Sequence, residues 1–503
     1  MENRIISDHL FVFPFSWRYW KFNNDELFHQ HTQLVHKRFE KLGHWTIHYS
    51  TIDNNKAYNE YVYFYKPIRM ALYSFKNEPV VVRNYVYERL DETSCFVIIK
   101  DEQEYILDIS QIDLKLYKTG IGLLSFRIKN TKYEKISDIE AINSFSQCIY
   151  PPMLPMSGAR EIGLPEEIKI QLNKNTVIKE KFNDNYFSEK LSISPIIMKV
   201  LGEPFCIRNE YHHKNRIMIE AVLGNQLYCI CTYYNKELLN SIYNDTTDTE
   251  VLSKLMTNNK RTNALQEIEK ITGENDSSYL KCTEHLYGVN RFMLLCITKE
   301  EEHDKLYDQL VKLTLMQRAT LLNFSSELAR ISTVSKYELP PAILSIYEIY
   351  IQFINQLYFK EVTQDPEGSY IYEQLSKAFK IQEELDQLDH EIEEVHEYAN
   401  LVDQSSSSFK MQLLTIIGAA LVLPEFMTGF FGMNIFQKEA VHWWSNRNVL
   451  LWMNSYVFLP MVIVIELCIW NRRKNTWSIL FRIGLLILAA VSMFFAIRNG
   501  CGL

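Results

Sequence analysis

The sequence predicts an α/β or α+β cytosolic domain, followed by long stalk helices and a carboxy-terminal α-helical membrane domain. Three observations predict this order along the chain. Short runs rich in β-branched and aromatic residues fill 1–298, apolar residues spaced three and four apart characterise 299–409, and nearly uncharged stretches dominate 410–503. A cluster of prolines at 151–165 marks a sub-boundary inside the first domain.

The overall composition is that of a globular protein and hides this segmentation. The chain has 503 residues, of which 47% are hydrophobic and 23% charged, and its low glycine and proline content (16 and 14 residues) excludes fibrous and disordered classes. The formal net charge of -8 argues against direct nucleic-acid binding, which a basic surface would favour. The 9 cysteines are scattered, as in proteins with reduced thiols, and no second pair accompanies Cys229 and Cys231 to complete a zinc site.

Strands are predicted wherever β-branched and aromatic residues run together between turn signals. These runs lie at 10–15, 45–50, 61–65, 80–88, 95–100, 121–128, 217–223, 227–234 and 292–297. Helical patterns at 25–42 and 134–147 interrupt them, which indicates the mixed class.

Long helices are predicted from position 300 onward, at 300–333, at 341–361, and from about 367 into the first apolar stretch. The last of these carries apolar residues at spacings of three and four, which is typical of a helix packed against other helices. They are Leu385, Leu388, Ile392, Val395, Ala399 and Val402. No proline occurs between Glu367 and Leu423, so we expect one unbroken helix that acts as a mechanical lever.

The other faces of this helix carry acidic residues and no lysine or arginine between Glu383 and Glu397. The acids are Glu383, Glu384, Asp386, Asp389, Glu391, Glu393, Glu394 and Glu397. Two interpretations remain open. They form either an ordinary solvated helix face, or, repeated around an oligomer, a belt that attracts or binds cations.

Three apolar stretches near the carboxy terminus predict membrane spans. Residues 411–431, 449–470 and 477–497 each contain a single ionisable residue, namely Glu425, Glu466 and Arg482. About 20 residues in a helix cross a hydrocarbon layer of ~30 Å. Buried core helices of a globular protein are the alternative. Since no amino-terminal signal peptide is visible and Arg472–Lys474 follow the second span, we expect the amino-terminal domain in the cytosol.

A short motif closes the first of these stretches: Pro424, then Gly429, then Gly432-Met433-Asn434. In this context the chain resembles the CorA family of divalent-cation channels, whose signature is Gly-Met-Asn at the outer end of the pore helix. The resemblance covers about 405–475 and, in its long helices, reaches back to about 300. It implies a funnel-shaped homo-oligomer, most simply a homopentamer, in a lipid bilayer, with a divalent cation such as Mg2+ as the transported or regulatory ion and with no covalent cofactor.

The chemistry of the motif agrees with that implication. A ring of Asn434 carbonyl oxygens, one from each subunit, offers neutral ligands that replace or hydrogen-bond the water shell of a cation. Asn434 is therefore the predicted metal-contacting residue, with Gly432 and Met433 beside it in the selectivity motif. A polar cap at a helix end is the alternative role of Asn434.

The resemblance implies that one stripe of the same helix lines the pore. Met411, Leu414, Gly418 and Val422 follow one another at spacings of three and four and form the predicted constriction, which gates by dewetting. Glu425 continues the stripe at a level where CorA relatives usually carry a neutral polar residue. We expect a ring of Glu425 carboxyls that binds cations, with one or more of them protonated to limit repulsion.

A second resemblance concerns the amino-terminal domain. The segments 8–17, 119–122, 142–145 and 150–152 are similar to the CorA-like proteins associated with type III CRISPR systems. That branch implies an antiviral effector in the bacterial or archaeal inner (plasma) membrane, opened by a nucleotide second messenger that conjugates S-adenosylmethionine with AMP. Candidate ligand-binding residues are Thr119, Gly120, Gly122, Arg83, Arg127, Arg208, His212 and Arg216. An ordinary turn or bulge is the alternative at 119–122, since there is no phosphate-binding loop motif.

The function predicted from the sequence is therefore a CorA-like cation channel gated by its cytosolic domain. A housekeeping magnesium transporter gated by intracellular cation is the alternative within the family. An enzyme is not expected and no catalytic residues are assigned, because no nucleophile and base, metal triad or pair of acids stands at a diagnostic spacing.

Overall fold

A computed structural model describes most of the amino-terminal three quarters of the chain. The described residues are 4–19, 34, 37–76, 78–100, 102–147, 165–181, 193–207, 216–223, 227–244, 249–256, 278–282, 284–299, 306–333, 339–432, 487, 490, 491, 494 and 498.

Fifteen strands of the described chain form one mixed sheet. They are β1 (Ser7–Tyr19), β2 (Lys41–Leu42), β3 (Trp45–Ile47), β4 (Val82–Tyr87), β5 (Cys95–Lys100), β6 (Gln103–Tyr117), β7 (Ile121–Asn130), β8 (Glu167–Asn173), β9 (Thr176–Lys181), β10 (Phe205–Ile207), β11 (Ile217–Ala221), β12 (Tyr228–Tyr234), β13 (Ser278–Lys281), β14 (His285–Val289) and β15 (Met293–Thr298). The main path runs β13-β14-β15-β12-β1-β7-β6-β4-β3-β2, while β11 and β10 extend it beside β1, and β5, β8 and β9 extend it beside β6.

The central strand β1 is buried along most of its length. It pairs with β7 on one edge, and on the other edge it pairs first with β12 and then with β11. Pro14 lies where this second edge changes partner, which is a position where a residue without an N–H is tolerated. Burial on both faces explains why the sequence of this strand is a nearly continuous apolar run.

Many of the described helices contact strands of this sheet. The described helices are α1 (Asn55–Tyr63), α2 (Lys66–Leu72), α3 (Ile136–Gln147), α4 (Pro195–Leu201), α5 (Lys236–Tyr243), α6 (Thr249–Met256), α7 (Leu306–Ile331), α8 (Leu339–Gln356), α9 (Pro366–Ala378) and α10 (Ile381–Gly432), with a 3-10 helix at Lys37–Glu40. Helix α7 lies against β1 and β7 and carries most of its length in buried residues, which makes it a core helix rather than a surface stalk.

Several element predictions are confirmed, and two need correction. Most predicted strands and helices coincide with elements of the same kind in the described residues, but the aromatic run 61–65 begins inside helix α1, not in a strand. Asn54 caps that helix by accepting a hydrogen bond from Ala57 N at 2.8 Å. The expected unbroken helix from 367 is divided into α9 and α10 at Lys380, whose φ of 53° is left-handed.

The chain divides into two compact units, Met1–His396 and Glu397–Leu503. The first unit contains the whole sheet and helices α1 to α9. Helix α10 begins in the first unit and ends in the second.

The predicted membrane domain is contradicted. Among the residues that the structure describes, no helix combines the length and the apolarity that a bilayer crossing requires. Residues 411–431 continue a helix that starts among acids at Ile381, and Gln412, Thr415 and Glu425 interrupt their apolar side chains. The membrane part of the predicted fold class and the multi-pass localisation are therefore wrong on this finding. The fold class becomes mixed α/β with long helices in the carboxy-terminal half.

Most residues of the other two expected spans lie outside the described residues. Residues 449–470 lie outside the described residues. So do residues 477–497, apart from Ile487, Ala490, Val491 and Phe494.

Candidate functional site

One polar cleft in the first unit has a volume of about 350 Å³. It lies between one face of β4 and β6, helices α1 and α2, and the first turns of α7. We call it the lysine cleft. Its polar and charged lining includes His48, Glu60, Asn84, Gln111, Asp113, Lys115, Gln309 and Lys312. The volume lies within the roughly 300–1,000 Å³ that is usual for small-molecule sites.

The floor of the lysine cleft follows from the alternation of side chains along β6. Gln111, Asp113 and Lys115 point to one face of this strand, while Ile112 and Leu116 are buried on the other. Asn84 on β4 stands directly opposite Lys115 in the antiparallel register. The two strands thus place an amide and an ammonium group side by side beneath the cleft.

Lys115 is almost completely buried, with 6% of its surface exposed. Its Nζ donates hydrogen bonds to Leu72 O at 3.2 Å and to Gln309 Oε1 at 3.0 Å. Burial, and next the positive charge of Lys312, lower its pKa from 10.5 to about 7, against the opposing effects of Asp113 and Glu60. Lys115 therefore changes charge close to neutral pH.

Lys312 enters the cleft from helix α7 and is 5% exposed. Its Nζ lies 3.9 Å from Asp113 Oδ2, too far for a hydrogen bond. Burial lowers its pKa as well, while Asp113 and Asp308 act in the opposite direction. Lys115 and Lys312 thus lie near the carboxylates of Asp113 and Glu60, and an anion bound in the cleft would further stabilise the charged form of both amines.

Two further features of the lining point to a ligand with more than one functional group. Asn84 Oδ1 is buried and has no hydrogen-bond partner among the described residues. Tyr61, Tyr73 and Phe75 form an aromatic wall, in which the Tyr61 ring lies 5.7 Å from each of the other two. A buried acceptor costs free energy when it is unpaired, so a ligand donor at Asn84 would stabilise the complex.

The ligand-binding residues predicted from the sequence do not line the lysine cleft. Arg83 faces away from it and donates from Nε to Leu34 O at 2.6 Å. Arg127 pairs with Asp8 at 3.0 Å and with Asp308. Thr119 is buried with its hydroxyl 3.3 Å from that of Thr320 on α7.

The glycines of the same predicted set have conformational and packing roles, Gly120 in the turn between β6 and β7 and Gly122 at the start of β7. Gly120 has a φ of 81°, which favours glycine, and a Cβ on Gly122 would overlap the ring of Phe15. Arg216 is half-buried just before β11. Arg208 and His212 lie outside the described residues.

The predicted pore residues lie on or beyond the last part of α10. Met411, Leu414 and Val422 are exposed at 68%, 72% and 62%, and a Cβ on Gly418 would meet open space. Glu425 is exposed as well. Gly432 is the last residue of the helix, while Met433 and Asn434 lie outside the described residues, so their roles stay predictions.

The acids of α10 are mostly solvated, and several have local partners. Glu384 pairs with Arg318 at 2.7 Å, Asp389 accepts a hydrogen bond from the Tyr350 hydroxyl at 2.9 Å, and Glu394 lies 3.4 Å from His390. The remaining acids, Glu383, Asp386, Glu391, Glu393 and Glu397, lie on the same helix, and their predicted cation-attracting role stays a prediction.

No motif in the sequence marks the lysine cleft. The alternating polar residues of β6 were a usable signal, but such a pattern usually marks a solvent-facing strand side. Helix α7 covers this side and brings Gln309 and Lys312 to it, from almost 200 residues further along the chain.

Comparison of the chain with models of known protein families, with curated proteins and with solved structures finds no match.

Proposed function

We propose that this chain is a ligand-controlled effector whose sheet domain binds an anionic ligand of the nucleotide class in the lysine cleft. The observation that carries the proposal is the pair of buried amines, Lys115 and Lys312, which open into one cleft beside the unpaired Asn84 Oδ1. Burying two amines is costly unless an anion compensates for it in one state of the protein.

The other residues that line the lysine cleft favour particular kinds of anion. The Tyr61, Tyr73 and Phe75 wall suits a flat ring such as a nucleobase. Glu60 and Asp113 suit a cationic group of the same ligand, and Asn84 Oδ1 suits an amino donor. The S-adenosylmethionine–AMP conjugate, which the second resemblance implies, combines phosphate, adenine and cationic groups in one molecule. It is therefore the first ligand to test.

The experiment is isothermal titration of the full chain with this conjugate, with AMP and with S-adenosylmethionine, at pH 8 in buffers of different ionisation enthalpy. Lys115 with a pKa of about 7 is roughly nine-tenths neutral at pH 8. A bound phosphate raises that pKa, so binding should take up close to one proton. Lys115→Met should abolish the uptake and weaken binding about tenfold to a hundredfold.

Lys66→Met is the matched control, since Lys66 is exposed at the start of α2. It should change neither the affinity nor the proton uptake. If Lys115→Met and Lys312→Met bind the ligand as tightly as the unchanged chain does, the ligand binds elsewhere. Absence of binding by all three compounds would remove the nucleotide proposal.

Ligand-controlled self-association is the output that we propose for this effector. Support comes from the exposed apolar stripe at Met411, Leu414 and Val422 near the end of α10, which a second copy of the helix would cover. In sedimentation velocity the ligand should shift the full chain towards an oligomer, and Leu414→Gln should weaken that shift. An oligomeric state that does not change with ligand would contradict this output.

A further inference from the structure

A second cluster of ligand-type side chains lies in the first unit, and none of its members lines the lysine cleft. Cys282 follows β13, His285 opens β14, and Glu367 stands in the first turn of α9. One ligand atom from each lies within 4.8 Å of the other two. We propose that these three side chains form a binding site for a transition-metal ion of the zinc class, with a fourth position open to water.

The local fold holds the three groups in place. The turn between β13 and β14 is closed by a hydrogen bond from Cys282 N to His285 O at 2.9 Å, so both side chains are fixed on one tight hairpin. Glu367 is fixed by the start of α9, where Asp365 caps the helix by accepting from Gly368 N at 2.8 Å. Preorganised ligands lose little conformational freedom when a metal binds.

The distances suit a small ion. His285 Nε2 lies 3.1 Å from Glu367 Oε1, close to the separation of about 3.3 Å between ligands that sit ~2.0 Å from a tetrahedral zinc ion. All three side chains are partly buried. A metal ion can therefore enter from solvent, while the protein covers part of the site. Glu367 Oε1 is buried and accepts no hydrogen bond from the described residues.

The donor set decides the class of metal. A thiol and an imidazole are poor ligands for Mg2+ or Ca2+, which prefer oxygen, and good ligands for Zn2+. One thiolate and one carboxylate neutralise a divalent ion, which matters in a half-buried site. Binding breaks the S–H bond of Cys282, forms an S–metal bond and releases the proton to solvent.

This proton release gives the site a pH signature. Because the metal competes with that proton, the apparent affinity should rise about tenfold for each pH unit near neutrality.

The test is a zinc titration of the chelator-stripped full chain against a chromophoric competitor. The unchanged chain should bind one Zn2+ at this site, and Co2+ in its place should give a thiolate-to-metal charge-transfer band. Cys282→Ser should abolish the band. Each of Cys282→Ser, His285→Gln and Glu367→Gln should weaken zinc binding by more than the roughly 10–100-fold that outer-shell changes cost.

Cys95→Ser is the matched control, since Cys95 is a partly buried free cysteine on β5. It should leave the band and the affinity unchanged. Thermal unfolding of the metal-free variants separates misfolding from loss of a ligand, and His285→Gln and Glu367→Gln keep the test open if Cys282→Ser unfolds. Equal zinc affinity of the unchanged chain and the three variants would overturn the proposal and leave a plain ion pair of His285 with Glu367.

Discussion

His9 lies at the centre of the sheet with none of its surface exposed, and its hydrogen bonds fix its protonation state. Nδ1 lies 2.8 Å from Asn143 Oδ1, which can only accept, so Nδ1 carries the proton. Nε2 lies 2.8 Å from the Ser7 hydroxyl, which in turn accepts from Asn130. In the neutral imidazole, Nε2 carries no proton and accepts a hydrogen bond from the Ser7 hydroxyl. A second proton, on Nε2, would point at this donor.

We expect this histidine to make the first unit sensitive to acid. Burial lowers the pKa of His9 from 6.5 to about 4, so between these values the unfolded chain binds the proton and the folded chain does not. The free energy of unfolding therefore falls as the pH drops from 6.5 to 4, by up to about 1.4 kcal/mol per pH unit from this group. Urea unfolding of the unchanged chain and His9→Gln at several pH values measures the slope.

The variant His9→Gln should lose that part of the slope whatever its stability at pH 7. His48→Gln, at an exposed histidine, serves as the control for the substitution itself. Equal slopes for His9→Gln and the unchanged chain would mean that other groups cause the acid sensitivity.

Single residues of the lysine cleft show what a sequence conceals at this scale. The alternation of Gln111, Asp113 and Lys115 with apolar residues correctly identifies a strand with two unlike faces. It cannot reveal that helix α7 buries the polar face, because that depends on contacts between residues almost 200 positions apart. The pKa of Lys115 and the role of Asn84 follow only from that burial.

At the scale of elements, the contact of β1 with β7 sets the packing of the sheet centre. Phe15 stands opposite Gly122 in the register, and its ring fills the space that a side chain at Gly122 would occupy. Gly122 belongs to the segment whose resemblance suggested a ligand loop. In this structure it has a packing role that needs no ligand.

Gly122→Ala should therefore lower the free energy of unfolding by about 1–3 kcal/mol, the usual cost of overpacking a core. Denaturant unfolding of the first unit measures it. The cost should shrink in a Phe15→Leu background, because the smaller side chain leaves room for the added methyl group. If the two substitutions were additive, the ring of Phe15 would not be the obstacle.

Element by element, the sequence predicts regular strands well and fails where tertiary contacts decide. The runs at 95–100 and 121–128 match β5 and β7, since their β-branched residues suit either face of a buried sheet. The break at Lys380 has no proline or glycine to signal it. The apolar stretch 411–431 misled because hydropathy alone does not separate a span from a helix with an exposed apolar stripe.

At the scale of the whole molecule, helix α7 links the lysine cleft to the start of α10 within the first unit. Gln309 and Lys312 line the cleft from its first turns, and Arg318, about two turns further along, pairs with Glu384 on α10 at 2.7 Å. Because Lys312 and Arg318 lie on the same rigid helix, a ligand that shifts Lys312 would also shift this ion pair. Such a contiguous link is the physical basis on which a cleft can act on a distant segment.

We therefore expect nucleotide binding to slow amide hydrogen exchange at 381–396, and Arg318→Met to abolish this effect. The affinity should change less than about threefold, because Arg318 lies outside the cleft and a partly exposed pair is worth only about 1 kcal/mol. The charge-reversed pair Arg318→Glu with Glu384→Arg should restore the protection, since it re-forms the contact with opposite signs. Full ligand-induced protection in Arg318→Met alone would show that the signal reaches α10 by another route.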